Sequence, residues 1–126
     1  MIAADTSSLI AFFAGEFEAK DVILIKDALE KESLCLPPIV LSEILSVPNL
    51  NLRIESCIKL LPCLEIFPDF WIRVGKTRAT LIKNKLKGKM ADSIIAQCCI
   101  DNKVPLITRD KDFRHFQKYF GLKLLY

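Results

Sequence analysis

Five short apolar segments, "MIAAD", "SLCL", "LEIF", "VPLIT" and "LKLLY", recur along the chain, and longer stretches with helical apolar spacing separate them. No other feature restricts the fold as strongly. Strands joined through helices run parallel, and a parallel sheet is stable only when helices cover both of its faces. The first strand, 1–5, leads into a short helix over "SSLIAFFAG", which Ser7 or Ser8 can cap and Gly15 can end. A longer helix over "EAKDVILIKDALEKE" precedes the strand "SLCL". Pro37 and Pro38 stop that strand and pre-set the first turn of a helix over "IVLSEILS". After Pro48 the pattern predicts a helix over 52–61, the strand "LEIF" and a basic helix over "FWIRVGKTRATLIKNKL" that ends near Gly88. The helix "ADSIIAQCCIDNK", the strand "VPLIT", a short aromatic helix "FRHFQKYF" and the strand "LKLLY" complete the chain.

Nothing marks a second domain: there is no internal repeat, low-complexity tract or Gly/Ser-rich linker. The 126 residues, 52% of them hydrophobic, therefore read as a single domain, 1–126, around one core. Apolar runs such as "VILI" fall far short of the ~20 residues that a membrane-spanning helix needs. The amino-terminal stretch "MIAADTSSLIAFFAG" lacks a basic leader and carries Asp5 inside its apolar part, so it reads as mature structure in a cytoplasmic protein.

Cys35, Cys57, Cys63, Cys98 and Cys99 are odd in number and show no CxxC spacing, which points to reduced, packed thiols rather than zinc or redox chemistry. A lone histidine, His115, argues against a histidine triad or a zinc site, and reads as an ordinary helix residue. Charge is distributed unevenly. Residues 70–91 hold seven bases (Arg73, Lys76, Arg78, Lys83, Lys85, Lys87, Lys89) and no acid, whereas residues 1–69 are net acidic. A block of this kind suits a polyanion partner, or is simply a solvated helix face. Lys87 and Lys89 would form a basic lip just ahead of Asp92.

Parallel α/β sheets bind ligands at the carboxyl ends of their strands. Asp5 and Asp110 end two predicted strands, while Glu43 and Asp92 lie near the starts of helices that begin at the same edge. Apolar neighbours ("IAAD", "IVLSE", "KMAD", "LITRD") tether each acid to the core. Two like charges about 4 Å apart repel by roughly 4 kcal/mol at an effective dielectric near 20, so such a cluster would consume much of a domain's ~5–15 kcal/mol of stability. A cation must compensate, and an all-oxygen site selects a hard ion such as Mg²⁺ or Mn²⁺.

The segments "MIAADTSSLI", "IVLSEIL", "MADSIIAQ" and "LITRDKDF" resemble, in order and spacing, the four acidic motifs of PIN-domain ribonucleases, especially the small VapC-like toxins of toxin–antitoxin pairs. The resemblance implies a PIN-like three-layer α/β/α sandwich with a mostly parallel sheet. It implies Asp5, Glu43, Asp92 and Asp110 as catalytic metal ligands for Mg²⁺ or Mn²⁺, with Asp112 as an additional acid, and metal-dependent hydrolysis of RNA. By the same resemblance the partners are an RNA substrate, a small antitoxin and a second copy in a homodimer. Thr6, Ser7 and Thr108 would hydrogen-bond the acids or their waters, and Arg109 and Lys111 would meet substrate phosphates.

Each acid has a plainer reading. Asp5 could cap the first helix, Glu43 could be a surface residue, and Asp92 could cap the helix from Ser93. Asp112, directly ahead of "FRHFQKYF", suits an N-cap, which favours Asp110 for the metal. Phe67, Phe70 and Trp71 read as core, although Trp71 beside the basic block could stack on a base. Two other functions compete. A haloacid-dehalogenase-type phosphatase also starts with a strand-end aspartate, but Ser7 stands where its general acid belongs. A catalytically silent domain of the same fold could bind RNA or protein. A mean hydropathy of +0.31 suggests apolar surface that meets another chain, with residues 1–69 the place for it.

Overall fold

Ile2–Ala4 (β1) forms the centre of a parallel sheet ordered β2–β1–β3, between Leu34–Cys35 (β2) and Leu106–Ile107 (β3) in a computed structural model that describes all residues 1–126. Ala3 lies opposite Cys35 on one side and Leu106 on the other. Ala3 and Ala4 are fully buried, as expected for a central strand covered on both faces. Single parallel bridges, Leu36 to Cys63 and Leu106 to Leu124, add a further segment at each edge.

The helices are Thr6–Phe13 (α1), Lys20–Glu30 (α2), Pro38–Leu45 (α3), Leu52–Leu60 (α4), Phe70–Lys83 (α5), Met90–Asn102 (α6) and Arg114–Phe120 (α7), the last preceded by a 3₁₀ turn over Lys111–Phe113. In α2 the buried positions Asp21, Val22, Ile25 and Ala28 form a stripe at helical spacing, which is why this charged-looking segment packs as a helix. One core cluster joins Leu9, Ile25, Ile44, Ile58, Phe113 and Phe116 to the strands. No helix is long and apolar enough to cross a membrane.

Several predicted elements are shorter than expected. "LEIF" is not a strand: Leu36 accepts from Leu64 N at 2.8 Å and donates to Pro62 O at 2.9 Å, and pairing stops there. Pro37 and Pro38 follow Leu36 and have no amide to continue the ladder. "LKLLY" likewise reduces to the bridge at Leu124. The basic helix ends at Lys83, three residues early, because the Asn84 backbone and side-chain amides both turn back to the Thr80 carbonyl and Lys85 takes a left-handed φ of 59°. Trp71 is not core: it is 65% exposed, beside a buried Phe70. The thiols are all free, with Cys35, Cys98 and Cys99 buried but Cys63 exposed.

Phe116 is fully buried and anchors α7 and the preceding turn to the core. Phe116→Ala is expected to cost about 3–5 kcal/mol of unfolding free energy, read as a lower urea midpoint by circular dichroism. A midpoint equal to wild type would show that α7 is not part of the cooperative unit.

Candidate active site

At the carboxyl end of β1, Asp5 caps α1 by accepting from Ser8 N at 3.1 Å, a role expected of Ser7 or Ser8. Ser7, in the first turn, donates instead to both Asp5 oxygens at 2.9 and 3.0 Å. Thr108, just past β3, donates to Asp5 Oδ2 at 2.5 Å. Three donors thus converge on Asp5, the single Ser7 proton being shared between its two oxygens, and they occupy most of the roughly four acceptor sites a carboxylate offers. Asp5 is 3% exposed, and its hydrogen bonds stitch the ends of two strands together. Burial raises its pKa more than the hydrogen bonds lower it, and the neighbouring Asp110 adds to the rise.

Asp110 is coupled to Asp5 through one atom. Its backbone N–H donates to Thr108 Oγ1 at 3.0 Å, and Thr108 donates onward to Asp5. Asp110 then caps the 3₁₀ turn, accepting from Asp112 N at 2.9 Å. This reverses the expected division of labour, in which Asp112 was the cap. With its backbone held by that turn, Asp112 presents its carboxylate to the site. Asp92 lies in the first turn of α6, whose N-cap is Lys89, so Asp92 is not the cap either.

Asp92, Asp110 and Asp112 converge: one carboxylate oxygen from each lies within 4.8 Å of the others. Charges at that separation repel by roughly 3–4 kcal/mol per pair at an effective dielectric near 20. Burial first, then Asp110, push the Asp92 pKa up to about 6 against an opposing effect of Lys89, with lesser additions from Asp112 and Asp5. Glu43, on α3, stands outside this trio and is held by Thr6 Oγ1 at 2.7 Å. Thr6 follows Asp5 directly, so one short segment supports both acids.

The donor set suits a hard cation. The three oxygens lie within 4.8 Å of one another, comparable to the ~4.2 Å across an octahedral Mg²⁺, so Asp92, Asp110 and Asp112 would be able to hold one such ion together. The surroundings hold no thiol or imidazole ligand that would favour zinc.

Arg109 serves another purpose than the one expected from its place beside Asp110. Its Nε and Nη2 donate to the two oxygens of Asp21 at 2.7 and 3.0 Å, and its Nη1 reaches Glu16 at 3.4 Å. Asp21, 1% exposed, also accepts from Ser8 Oγ at 2.8 Å. Burial alone would raise the Asp21 pKa, but Arg109 and Ser8 outweigh it and the net direction is down. Sequence reasoning passed over Asp21, although its place on the buried stripe of α2 was the available signal. In the basic block Arg73 pairs with Asp101 at 2.6 Å and Arg78 donates to Gly88 O at 2.6 Å, so both arginines brace α5. Lys87, Lys89 and Lys111 are exposed and form no ion pair.

A family model described as the PIN domain matches residues 2–119, and the chain belongs to that family. Among solved structures, one chain of VapBC2 from Rickettsia felis, solved bound to a DNA fragment from their promoter, superimposes with a TM-score of 0.70. That match covers 98% of this chain and 97% of the other at 18% identity, a likeness of fold. No curated protein matches the sequence. The parallel sheet and flanking helices are thus those of a PIN fold.

Two outcomes follow from the electrostatics. Arg109→Ala would strand the buried Asp21 carboxylate and is expected to lower stability by about 3 kcal/mol in urea unfolding. Asp21→Leu combined with Arg109→Leu should recover part of the loss, and a single variant as stable as wild type would reject the pairing. The Asp92 carboxyl binds its proton more tightly folded than unfolded, so its contribution is full below about pH 4 and is lost as pH rises through about 6. In EDTA, wild-type stability should therefore fall over that interval by on the order of 2 kcal/mol relative to Asp92→Asn, and parallel pH profiles would contradict the raised pKa.

Proposed function

We propose that this PIN-domain chain is a metal-dependent ribonuclease, the toxin of a toxin–antitoxin pair. The observation that carries the reading is the convergence of Asp92, Asp110 and Asp112 at the carboxyl edge of a parallel sheet. PIN domains are generally nucleases. The structural neighbour from Rickettsia felis was solved as VapBC2 on promoter DNA, which supports an antitoxin partner here.

In this reading Asp92, Asp110 and Asp112 hold one or two Mg²⁺ or Mn²⁺ ions, with Glu43 on the rim. A bound ion of this kind supplies Lewis acidity to a phosphodiester and acidifies a water. The chain's own residues do the rest. Asp92 must lose its proton to become a ligand, so metal affinity rises with pH through about 6. Thr6 orients the Glu43 carboxylate, and Thr108 fixes the backbone of Asp110. Asp5, whose charge reaches Asp92, adds a further carboxylate beside the trio and fixes Asp110 through Thr108. Lys87 and Lys89, just ahead of Asp92, and Lys111, between Asp110 and Asp112, supply exposed positive charge for the phosphates of the substrate. Exposed Leu52, Leu60, Trp71 and Ile72 supply apolar surface for an antitoxin or a second copy.

The test is cleavage of an RNA panel with Mg²⁺ or Mn²⁺, with EDTA, and by Asp92→Asn and Asp110→Asn. Each substitution is expected to reduce the rate about 100-fold or more, corresponding to a loss of about 3 kcal/mol of transition-state stabilisation. Cutting that persists in EDTA or in both variants would reject the mechanism. RNA bound but never cut by wild type would identify a silent binding domain instead.

A further inference from the structure

A cavity of about 240 Å³ adjoins the carboxylate trio on the side of the chain's last segment, lined by Thr108, Arg109, Asp110, Lys111, Arg114 and Gln117 together with residues 124–126. Asp110 belongs to both the trio and the cavity wall. Of the three cations in the wall, Lys111 and Arg114 are exposed and take part in no ion pair or side-chain hydrogen bond of the chain. The third, Arg109, has its donors occupied by Asp21 and Glu16, as Arg73 and Arg78 elsewhere have theirs occupied by the protein itself.

Unpaired cations beside an acid cluster do not neutralise it, since no carboxylate of the trio lies within ion-pair distance of them. They leave an anion site one residue away from a cation site. A ligand that satisfies both carries a negative group over the metal position and a second one close by, which is the repeat of a nucleic-acid backbone. The volume lies below the ~300–1,000 Å³ of pockets that enclose a drug-sized molecule, so it takes a phosphate and adjoining sugar rather than a base.

We propose that Lys111, Arg114 and Gln117 bind the backbone phosphate of an RNA strand neighbouring the one at the carboxylate trio, so that this cavity holds the substrate in register. The proposal rests on the ribonuclease reading. Arg114 supplies a planar fork for two phosphate oxygens, Lys111 a point charge, and Gln117 an amide donor. Contacts of this kind fix position without reading sequence.

The experiment measures binding of the wild-type chain to a labelled single-stranded RNA of about 12 nucleotides in EDTA as a function of salt. It is repeated with Lys111→Gln/Arg114→Gln and with a control, Lys26→Gln/Lys103→Gln, that removes as much charge elsewhere. The cavity variant should bind about tenfold more weakly at low salt, with the slope of log K against log salt reduced by about 0.7 for one lost phosphate contact. The control should keep the wild-type slope. A second arm uses the same RNA with neutral methylphosphonate linkages, which should abolish the difference between the wild type and the cavity variant. Equal slopes for wild type and cavity variant, or an equal loss in the control, overturn the cavity's role while leaving cleavage to be judged separately. Wild-type protein that binds no RNA overturns it as well, and failure to cut RNA in Mg²⁺ is a distinct result that strikes the ribonuclease reading.

Discussion

A single buried carboxylate, Asp5, holds the working edge of this protein together. Its oxygens take donors from α1 and from the end of β3, so the two strand termini cannot move independently. Thr108 passes that constraint on, because the same hydroxyl that donates to Asp5 accepts from the Asp110 amide. Asp110 in turn accepts from the Asp112 amide and fixes the turn from which Asp112 projects. The geometry of the acidic trio is thus inherited, bond by bond, from a residue outside it.

Such an edge is costly, since the trio's like charges face one another at half-buried positions. Two features limit the damage. Asp92 keeps its proton up to about pH 6, which removes one charge when no cation is present. The Asp21–Arg109 pair, closed further by Ser8, clamps α2 and α1 to the residue immediately before Asp110. A buried pair of this kind contributes little net stability compared with an apolar substitute, but breaking one side of it is expensive. Its value here is positional: it prevents the β3 terminus from relaxing away from the repelling acids.

The positive charges near the site divide by what already occupies them. Arginines at 73, 78 and 109 are engaged by Asp101, the Gly88 carbonyl and Asp21, and serve the fold. Lys87 and Lys89 ahead of the trio, Lys111 between two of its acids and Arg114 after them have no such partner. Charge counted along the chain therefore overstates the basic surface available to a ligand, and the arginines account for most of the difference.

How much of this could be read from residue order is clear element by element. Alternating short apolar runs and helical patterns determine a parallel sheet with covering helices, because no other arrangement buries both kinds of segment. An acid directly after an apolar strand must lie at the carboxyl edge, which makes the placement of Asp5 and Asp110 legible, while Asp92 reaches that edge from the first turn of a helix. Residue order alone could not decide which acid caps, which braces and which faces the open site. Those roles depend on donors that arrive from distant elements, as Thr108 does at Asp5 and Arg109 at Asp21, and such partners leave no periodic trace. The tertiary structure also ended β2 after a single further bridge, because a proline pair removes the amides that would have extended it, and the adjoining "LEIF" was left outside the sheet.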